Sequence, residues 1–126
     1  MARSHEEWLL QSDYDMDTAE YMLEGGRNFY AVFMCHLAVE KAIKGLYQFK
    51  LGKAPPKIHN FVRLLSETRI KPPEGIDMFL VSLNEAQVDT RYPHELAVLQ
   101  ERYTGEGAKR ILGMGKEVLR WIKTML

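Results

Sequence analysis

The chain has 126 residues, and its 17 lysines and arginines balance 17 aspartates and glutamates, so its formal net charge is zero. This length predicts one domain with its own hydrophobic core. Zero net charge excludes proteins that bind long nucleic acids or membrane surfaces by bulk electrostatics, because such binding needs a cationic excess. A single cysteine excludes an internal disulfide framework and favours a reducing compartment.

A capping box opens the first predicted helix. Ser4 is followed three residues later by Glu7, a pattern in which the two side chains satisfy the amides of a helix start. Gly25-Gly26 ends this helix. The second helix runs from about Arg27 to Leu51 and is apolar nearly all round, which predicts a central, buried helix.

Two further helices are predicted in the middle of the chain. A short third helix extends from His59 to Glu67, and His59 is interpreted as a cap or a packing contact. The fourth helix opens at Pro72-Pro73-Glu74, since proline suits a first helical turn, and it runs to about Val88.

A connector and a last helix complete the predicted fold. The connector spans Asp89 to Tyr103, of which Glu95 to Glu101 is compatible with a helix, and the last helix begins near Thr104 and continues to the terminus. There is no strand-length alternation and no internal repeat. The sequence therefore predicts an all-α fold over residues 1–126, an antiparallel up-and-down four-helix bundle with one additional short helix.

No segment has the length of a membrane span. The longest apolar run, residues 31–39, is broken by His36 and is far shorter than the roughly 20 residues that a span needs. The first seven residues are too charged for a signal peptide. We therefore expect a cytoplasmic protein without a membrane partner.

Charge is unevenly distributed along the chain. Residues 1–24 hold seven acidic residues and one base, and residues 72–89 hold four acidic residues and no base. Residues 50–71, in contrast, hold six bases and one acid, and residues 101–126 hold six bases and three acids. The folded chain can therefore present a basic face while it is neutral overall.

Missing motifs exclude several classes of enzyme. The chain has neither the Glu-x-x-His pairs of di-iron bundles nor a His-Glu-x-x-His zinc motif, and we expect no metal and no cofactor. Cys35 and His36 are neighbours that cannot face each other on a helix, so Cys35 is interpreted as a core residue. Gly113 and Gly115 each cost the last helix about 1 kcal/mol, and a close helix approach or a dimer contact would explain them.

Charged residues on the apolar second helix form the first candidate cluster. His36, Glu40 and Lys44 share one face at i, i+4 and i+8. Burying such charges alone is expensive, so they should be paired or functional. Asp15 lies on the apolar stripe of the first helix and is predicted to pair with Lys41 or Lys44. We interpret Asp15, His36, Glu40 and Lys41 as a supporting polar network, in preference to catalytic residues.

The connector holds the second candidate site. Arg91 offers a planar donor fork for phosphate oxygens, and Tyr92 and Tyr103 offer faces on which a base can stack. Together with Lys44, these residues are the candidate nucleotide- or RNA-binding set. Arg91 and His94 are also a tentative catalytic pair. A surface loop whose arginine pairs with an acid is an alternative of equal weight.

In their order and spacing these segments resemble the HEPN family of small helical domains, which are often paired with minimal nucleotidyltransferases. The resemblance covers almost the whole chain. The positions that carry it are Trp8, Ser12-x-x-Asp15-Met16, residues 36–44, Ile58-His59-Asn60-Phe61, Thr90-Arg91-Tyr92-Pro93 and Trp121.

The resemblance implies a bundle of four long helices and a short one, usually a dimer. Many members are metal-independent RNA endonucleases or toxins, whose signature is an arginine, four to six residues and then a histidine. In that mechanism the histidine moves a proton at the ribose 2′-OH and the arginine steadies the phosphate. Here only two residues separate Arg91 from His94. The chain is most similar to a subgroup that keeps Arg-Tyr-Pro without the full motif.

Two functions follow as alternatives. The first is a homodimeric module that binds a nucleotide or single-stranded RNA and is the partner of a minimal nucleotidyltransferase in a toxin–antitoxin-type pair. In that setting Tyr92 and Tyr103 are candidate acceptors of nucleotide transfer. The second is a divergent metal-independent RNA endonuclease that uses Arg91 and His94, supported by Glu40 or Asp15.

Overall fold

A computed structural model describes residues 4–91 and 95–126 of the chain, and all the regular secondary structure in these two ranges is helical. Four long helices make the bundle, and the predicted all-α fold is confirmed. The structure also has a second short helix, α5, in the part of the connector, residues 95–101, for which the sequence allowed a helix. In chain order the helices are α1 (His5–Glu24), α2 (Asn28–Leu51), α3 (Phe61–Thr68), α4 (Ile76–Arg91), α5 (Leu96–Arg102) and α6 (Gly105–Lys123).

Polar side chains fix the starts of three helices. The Ser4 hydroxyl accepts a hydrogen bond from the Glu7 amide at 3.1 Å, as the capping box predicts. Asn60 caps α3 and Thr104 caps α6 in the same way. Gly52 ends α2 in the left-handed conformation with φ of 68°, which glycine adopts without a steric penalty.

The predicted ends of α4 were wrong at both sides. Gly75 has φ of 94°, so the turn after the two prolines is not helical and α4 begins at Ile76. The Asp77 carboxylate accepts hydrogen bonds from the amides of Gly75 and Met78 and supports this turn. At the other end α4 continues through Arg91. Arg91 is therefore the last residue of a helix rather than a residue of the connector.

Helix α2 is the centre of the bundle, as its apolar composition predicts, and it contacts each of the other five helices. It runs antiparallel to α1, because Trp8 contacts Gln48 at one end and Asp15 contacts Lys41 further along. Ser12, which lies between Trp8 and Asp15 on α1, donates a 2.6 Å hydrogen bond from its hydroxyl to the Ala38 carbonyl of α2.

Glycines allow α2 to approach two neighbouring helices closely. A Cβ atom at Gly45 would lie 3.1 Å from the Cβ of Trp8 on α1. A Cβ atom at Gly115 would lie 2.5 Å from the sulfur of Cys35. The approach of α6 to α2 at this point therefore requires a residue without a side chain at position 115. Gly113 differs, because a Cβ atom there would meet nothing within 4 Å. Close helix approach thus explains Gly115 but not Gly113.

A small second core lies toward the N-terminal end of α2. It consists of Val32, Leu99, Tyr103 and Ala108, and it joins α5 to α2 and to α6. Ala86 of α4 packs against the same cluster, which places the later part of α4 beside this end of the bundle. None of the helices described is both long enough and apolar enough to cross a bilayer.

Candidate functional site

Glu40 joins three other polar side chains inside the bundle. Its carboxylate lies 3.1 Å from Lys44 Nζ through Oε2 and 2.8 Å from His59 Nδ1 through Oε1. His36 Nδ1 lies 3.9 Å from the same Oε1 atom. Glu40, Lys44 and His36 are all buried, with exposed fractions of 5%, 7% and 1%. The ammonium and the ring nitrogens therefore hold the carboxylate in the low-dielectric interior, where an unpaired charge would be costly.

Asp15 forms the ion pair that its place on an apolar stripe predicts. Lys41 Nζ lies 2.8 Å from Asp15 Oδ2, and the Asp15 side chain is only 10% exposed. Of the two bases considered from the sequence, the partner is Lys41, while Lys44 contacts Glu40. The contacts of the supporting polar network thus fall into two groups, one between α1 and α2 and one around Glu40.

His59 is the member of the Glu40 group that the sequence did not identify as such. The predicted third helix begins at His59, whereas α3 begins at Phe61 and is capped by Asn60. His59 lies before the cap, where its ring reaches back to α2 and keeps 46% of its side chain exposed. The signal available in the sequence was Glu40 itself, since a carboxylate on the most apolar helix needs more than one partner.

Amide side chains connect α4 to the start of α3 beside this group. Asn84 Oδ1 accepts a hydrogen bond from the Phe61 amide at 3.1 Å, and Asn84 Nδ2 donates to Asn60 Oδ1 at 3.2 Å. The His36 ring packs against Phe61 with their centroids 4.7 Å apart. The Glu40 group is therefore held in place by α2, α3 and α4 together.

The residues of the connector are only partly described by the structure. Arg91 is the last residue of α4, while Tyr92 and His94 lie outside the described residues. Tyr103 is 6% exposed and packs in the small core with Val32. The same residue lines the small cleft described next, so its role in stacking on a ligand stays a prediction.

A small cleft opens beside Tyr103 at the N-terminal end of α2. Arg27, Tyr30 and Gln100 line it together with Tyr103, and its volume is about 80 Å³. Sites for small ligands are usually about 300–1,000 Å³, so this cleft alone does not enclose a nucleotide. Arg27 is exposed and Tyr30 is 52% exposed, so a ligand at this end would lie on the surface.

Lys44 is not part of the same site as Tyr103. Tyr103 packs against Val32, and Lys44 follows Val32 by twelve residues along α2. Twelve residues of α-helix are about 18 Å long. Lys44 instead lines a larger cleft of about 540 Å³, which it shares with Trp8, Gln48 and Lys57. Lys44 and Tyr103, two of the residues that the sequence grouped for nucleotide binding, therefore lie toward opposite ends of α2.

Ion pairs between helices determine where the basic surface remains. Lys123 Nζ lies 2.8 Å from Asp13 Oδ1, and Lys116 pairs with Glu20, so basic α6 is matched by acidic α1. The bases of residues 50–71 are all exposed, and they are Lys50, Lys53, Lys57, Arg63, Arg69 and Lys71. These exposed bases lie on the last turn of α2, the loop after it, α3 and the loop that follows α3.

Cys35 is a buried free thiol of the core. Burial raises the pKa of the Cys35 thiol to about 12, which keeps it protonated and unreactive at neutral pH. Within residues 4–91 and 95–126, no three His, Cys, Asp or Glu side chains are grouped as ligands for a metal ion.

Comparison with known proteins identifies the family. The family model of the HEPN domain matches residues 5–125. ST0689, an archaeal HEPN homologue, is 28% identical, with 98% of each chain covered and a TM-score of 0.81. TT1696 from Thermus thermophilus is 25% identical, with 97% of this chain and 98% of that chain covered and a TM-score of 0.84. No curated protein matches the chain. The chain belongs to the HEPN-domain family.

Proposed function

We propose that this HEPN domain binds a nucleotide or a segment of single-stranded RNA and acts beside a minimal nucleotidyltransferase, in a toxin–antitoxin-type pair. The observation that carries the proposal is the position of Arg91, in the Arg-Tyr-Pro segment, at the C-terminal end of α4. Ala86 packs on the small core that contains Tyr103, so α4 ends near the first turns of α2. Arg91 is the residue to which we assign the phosphate.

The chemistry of this end of the bundle favours an anion. Arg27 is exposed at the start of α2, and as the N-cap residue it makes no side-chain capping hydrogen bond. The first amides of a helix and its dipole attract phosphate, and an arginine adds a planar donor fork. Tyr30 supplies an exposed ring on which a base can stack. These groups support a surface site that holds one or two nucleotides of RNA.

Binding is favoured over cleavage because of the spacing between Arg91 and His94. Only two residues separate them, whereas the nuclease signature requires four to six. Zero net charge is also unfavourable for a protein that must hold long RNA tightly. The endonuclease remains the second candidate, and the experiment below distinguishes it from the first.

We also propose that the working unit is a homodimer. HEPN domains commonly dimerise, and Gly113 supports a contact surface on α6. A glycine at an exposed position inside a helix costs about 1 kcal/mol relative to alanine, and no neighbour in the described part of the chain requires it here. Sedimentation equilibrium of the purified protein tests this point, and a monomer at all concentrations would contradict it.

The first experiment measures RNA binding and cleavage together. Fluorescently labelled single-stranded RNA is titrated with the protein in chelator and low salt, with Arg91→Ala, His94→Ala and a control, Arg110→Ala. We expect anisotropy to rise without cleavage and Arg91→Ala to weaken binding about tenfold, the loss of one charge-assisted phosphate contact. Cleavage that both Arg91→Ala and His94→Ala abolish would establish the nuclease instead. Equal binding by all variants would place the RNA elsewhere.

The second experiment tests the nucleotidyltransferase partner. The proposal predicts a nucleotidyltransferase gene beside that of this chain. The two proteins are co-expressed, and the intact mass of this chain is measured. Of the two tyrosines considered, Tyr103 is buried, so we expect transfer at Tyr92. Tyr92→Phe should therefore remove the added mass and Tyr103→Phe should keep it. An unchanged mass in the wild type would argue against the chain as a substrate of that partner.

A further inference from the structure

An apolar cleft lies between α3 and α4, at the end where the loop of residues 69–75 joins the two helices. Its volume is about 430 Å³, within the usual range of about 300–1,000 Å³ for sites that hold small ligands. Most of the described residues that line it are apolar, and these are Val62, Leu65, Ile70, Pro72, Leu80 and Val81. The cleft is therefore suited to a ligand that is itself largely apolar.

The apolar surface of this cleft is partly uncovered. Leu65 and Leu80 are buried, with exposed fractions of 4% and 1%, and form its floor. Val62 on α3 and Val81 on α4 are each 49% exposed and stand at its sides. Single exposed apolar side chains are common on proteins, whereas a contiguous apolar patch in a concave surface is typical of a binding site. An apolar group between the two valines would remove their surface from water, which favours binding.

Positive charge is concentrated at the loop end of the cleft. Arg69 and Lys71 both line it and are exposed on the loop. Among the described lining residues, Asp77 is the only acidic one. Its Oδ1 atom accepts hydrogen bonds from the amides of Gly75 and Met78, at 3.1 and 2.7 Å, which hold the carboxylate against the turn. Two cations and one anion leave a single net positive charge, which suits a ligand with one negative charge.

The charged and the apolar parts of the cleft lie at different ends. Val62 precedes Arg69 by seven residues along α3, and seven residues of α-helix are about 10 Å long. Helix α4 begins at Ile76 beside the loop and reaches Val81 further from it. The cleft is thus basic at the loop and apolar toward Val62 and Val81. This order of groups matches a molecule with an anionic head and an apolar tail.

The backbone of Arg69 supports a role for its side chain. Arg69 ends α3 with φ of 60°, and in the described part of the chain it is the only residue other than glycine with a positive φ. This left-handed conformation favours glycine, because a Cβ atom crowds the following carbonyl oxygen. Strained residues of this kind concentrate at functional sites. What arginine offers over glycine here is its guanidinium, a planar fork that donates two hydrogen bonds to a carboxylate.

We propose that this cleft binds a monocarboxylic acid with an unbranched apolar tail. The carboxylate contacts Arg69 and Lys71 at the loop, and the tail lies on Leu80 between Val62 and Val81. This site goes beyond the function proposed for Arg91 and does not rest on it, because none of its residues belongs to the RNA site. The domain then responds to an amphiphilic acid at a place separate from RNA.

A series of ligands tests the charge and the tail separately. The purified full chain is titrated by calorimetry with octanoate, butanoate, octanol and octylammonium, each below the concentration at which it forms micelles. We expect saturable binding of one octanoate per chain. Butanoate should bind at least about tenfold more weakly, because each buried methylene tightens binding about fourfold. Octanol and octylammonium should also bind at least about tenfold more weakly, since they lack the charge-assisted contacts.

Two outcomes of this titration would overturn the proposal. The first is the absence of saturable octanoate binding. The second is equal binding of octanol or octylammonium, which would show that the carboxylate is not recognised.

Arg69→Gly separates binding from folding. It removes the guanidinium and also the strain of a left-handed arginine, so we expect octanoate binding to weaken about tenfold while the melting temperature rises. Arg63→Gln is the control, since Arg63 is exposed on the same helix but is not a lining residue of the cleft. It should leave binding unchanged. Unchanged binding in Arg69→Gly, or an equal loss in Arg63→Gln, would overturn the assignment of the carboxylate to Arg69.

A matched pair of substitutions on α4 tests the place of the tail. Val81 lines the cleft, whereas Met78 is 73% exposed on the same helix and is not a lining residue. We expect Val81→Glu to abolish octanoate binding, because it places a charge where the tail lies, and Met78→Glu to keep it within about twofold. Circular dichroism melts verify that both variants fold. Equal octanoate affinities in the two variants would overturn the site.

Discussion

His59 Nδ1 lies 2.8 Å from Glu40 Oε1, so the residue before the cap of α3 is in contact with the middle of α2. The same carboxylate holds the buried ammonium of Lys44 at 3.1 Å. Glu40 is therefore the acceptor that compensates two donors from different segments. Replacing Glu40 should lower the free energy of unfolding, because Lys44 and His59 would remain in position without the carboxylate that they contact.

We expect Glu40→Gln to lower the free energy of unfolding by about 3 kcal/mol, because it leaves a buried lysine without its carboxylate. Urea denaturation measures the effect. The double variant Glu40→Leu/Lys44→Met should recover part of the loss, since both charges are removed together. The control Glu117→Gln breaks an exposed pair with Arg120 and should change stability by less than about 1 kcal/mol. Equal effects of Glu40→Gln and Glu117→Gln would contradict the structural role of Glu40.

The ion pairs that α1 makes with its two neighbours provide a second comparison. Asp15 is 10% exposed and pairs with Lys41, whereas Asp13 is 48% exposed and pairs with Lys123. We expect Asp15→Ala to cost about 3 kcal/mol, as for other buried pairs broken on one side, and Asp13→Ala to cost less than about 1 kcal/mol. Thermal melts at low and high salt check the difference. A larger loss of stability in Asp13→Ala than in Asp15→Ala would contradict the expectation that the buried pair contributes more.

Two of the four glycines of α6, Gly113 and Gly115, should respond to alanine in opposite directions. Gly115→Ala places a methyl group 2.5 Å from Cys35 Sγ, so α2 and α6 must separate, and overpacking of this kind costs about 1–3 kcal/mol. Gly113→Ala meets open space and should raise the free energy of unfolding by about 0.5–1 kcal/mol. Chemical denaturation of the monomeric species checks both values. A destabilised Gly113→Ala monomer would contradict the assignment of open space.

Cys35 predicts how stability depends on alkaline pH. Burial raises the pKa of its thiol from an ordinary value of 9.0 to about 12. Below about pH 8 both the folded and the unfolded chain keep the proton, so this group contributes its full stability. Above about pH 9 the unfolded chain releases the proton and the folded chain does not. The free energy of unfolding therefore falls as pH rises toward 12, by up to about 1.4 kcal/mol per pH unit.

The measurement compares urea denaturation of the wild type and Cys35→Ala at pH 8, 9.5 and 10.5. A hydrogen bond to Glu67 also raises the pKa of Tyr47. Both proteins keep Tyr47, so the difference between their slopes isolates Cys35. Parallel slopes would show that the thiol titrates alike in the two states. In the native protein, alkylation of Cys35 at pH 8 should require unfolding.

Local signals in the sequence were sufficient to predict the helices and the starts of α1 and α6. Helix capping joins a hydroxyl to a backbone amide three residues later, so it can be read from a short stretch of sequence. Ser4 predicted the start of α1 in this way, and the predicted start near Thr104 is that of α6. The apolar composition of α2 identified the central helix for the same reason. The start of α4 could not be read in this way, because a left-handed Gly75 after the prolines interrupts the helix.

Contacts between residues that are distant in the sequence could not be predicted from these local signals. Helical periodicity places Glu40 and Lys44 on one face, but the contact with His59 depends on the path of the loop between α2 and α3. Tyr103 was predicted in a connector because its neighbours are polar, whereas α5 packs it against Val32. Whether a single aromatic residue is buried depends on tertiary packing, and local sequence patterns do not predict such packing.

Helix α2 contacts every other described helix. Its backbone amides can therefore reach solvent only if the contacts with those helices are broken. Amide hydrogens in the middle of α2, around Ala42 and Ile43, should exchange with deuterium only when the whole domain unfolds. Helix α5 has seven residues and a single buried one, Leu99, so its amides should exchange through small local openings. Helix α2 is thus the rigid axis of the domain, while α5 is the helix that can open at little cost.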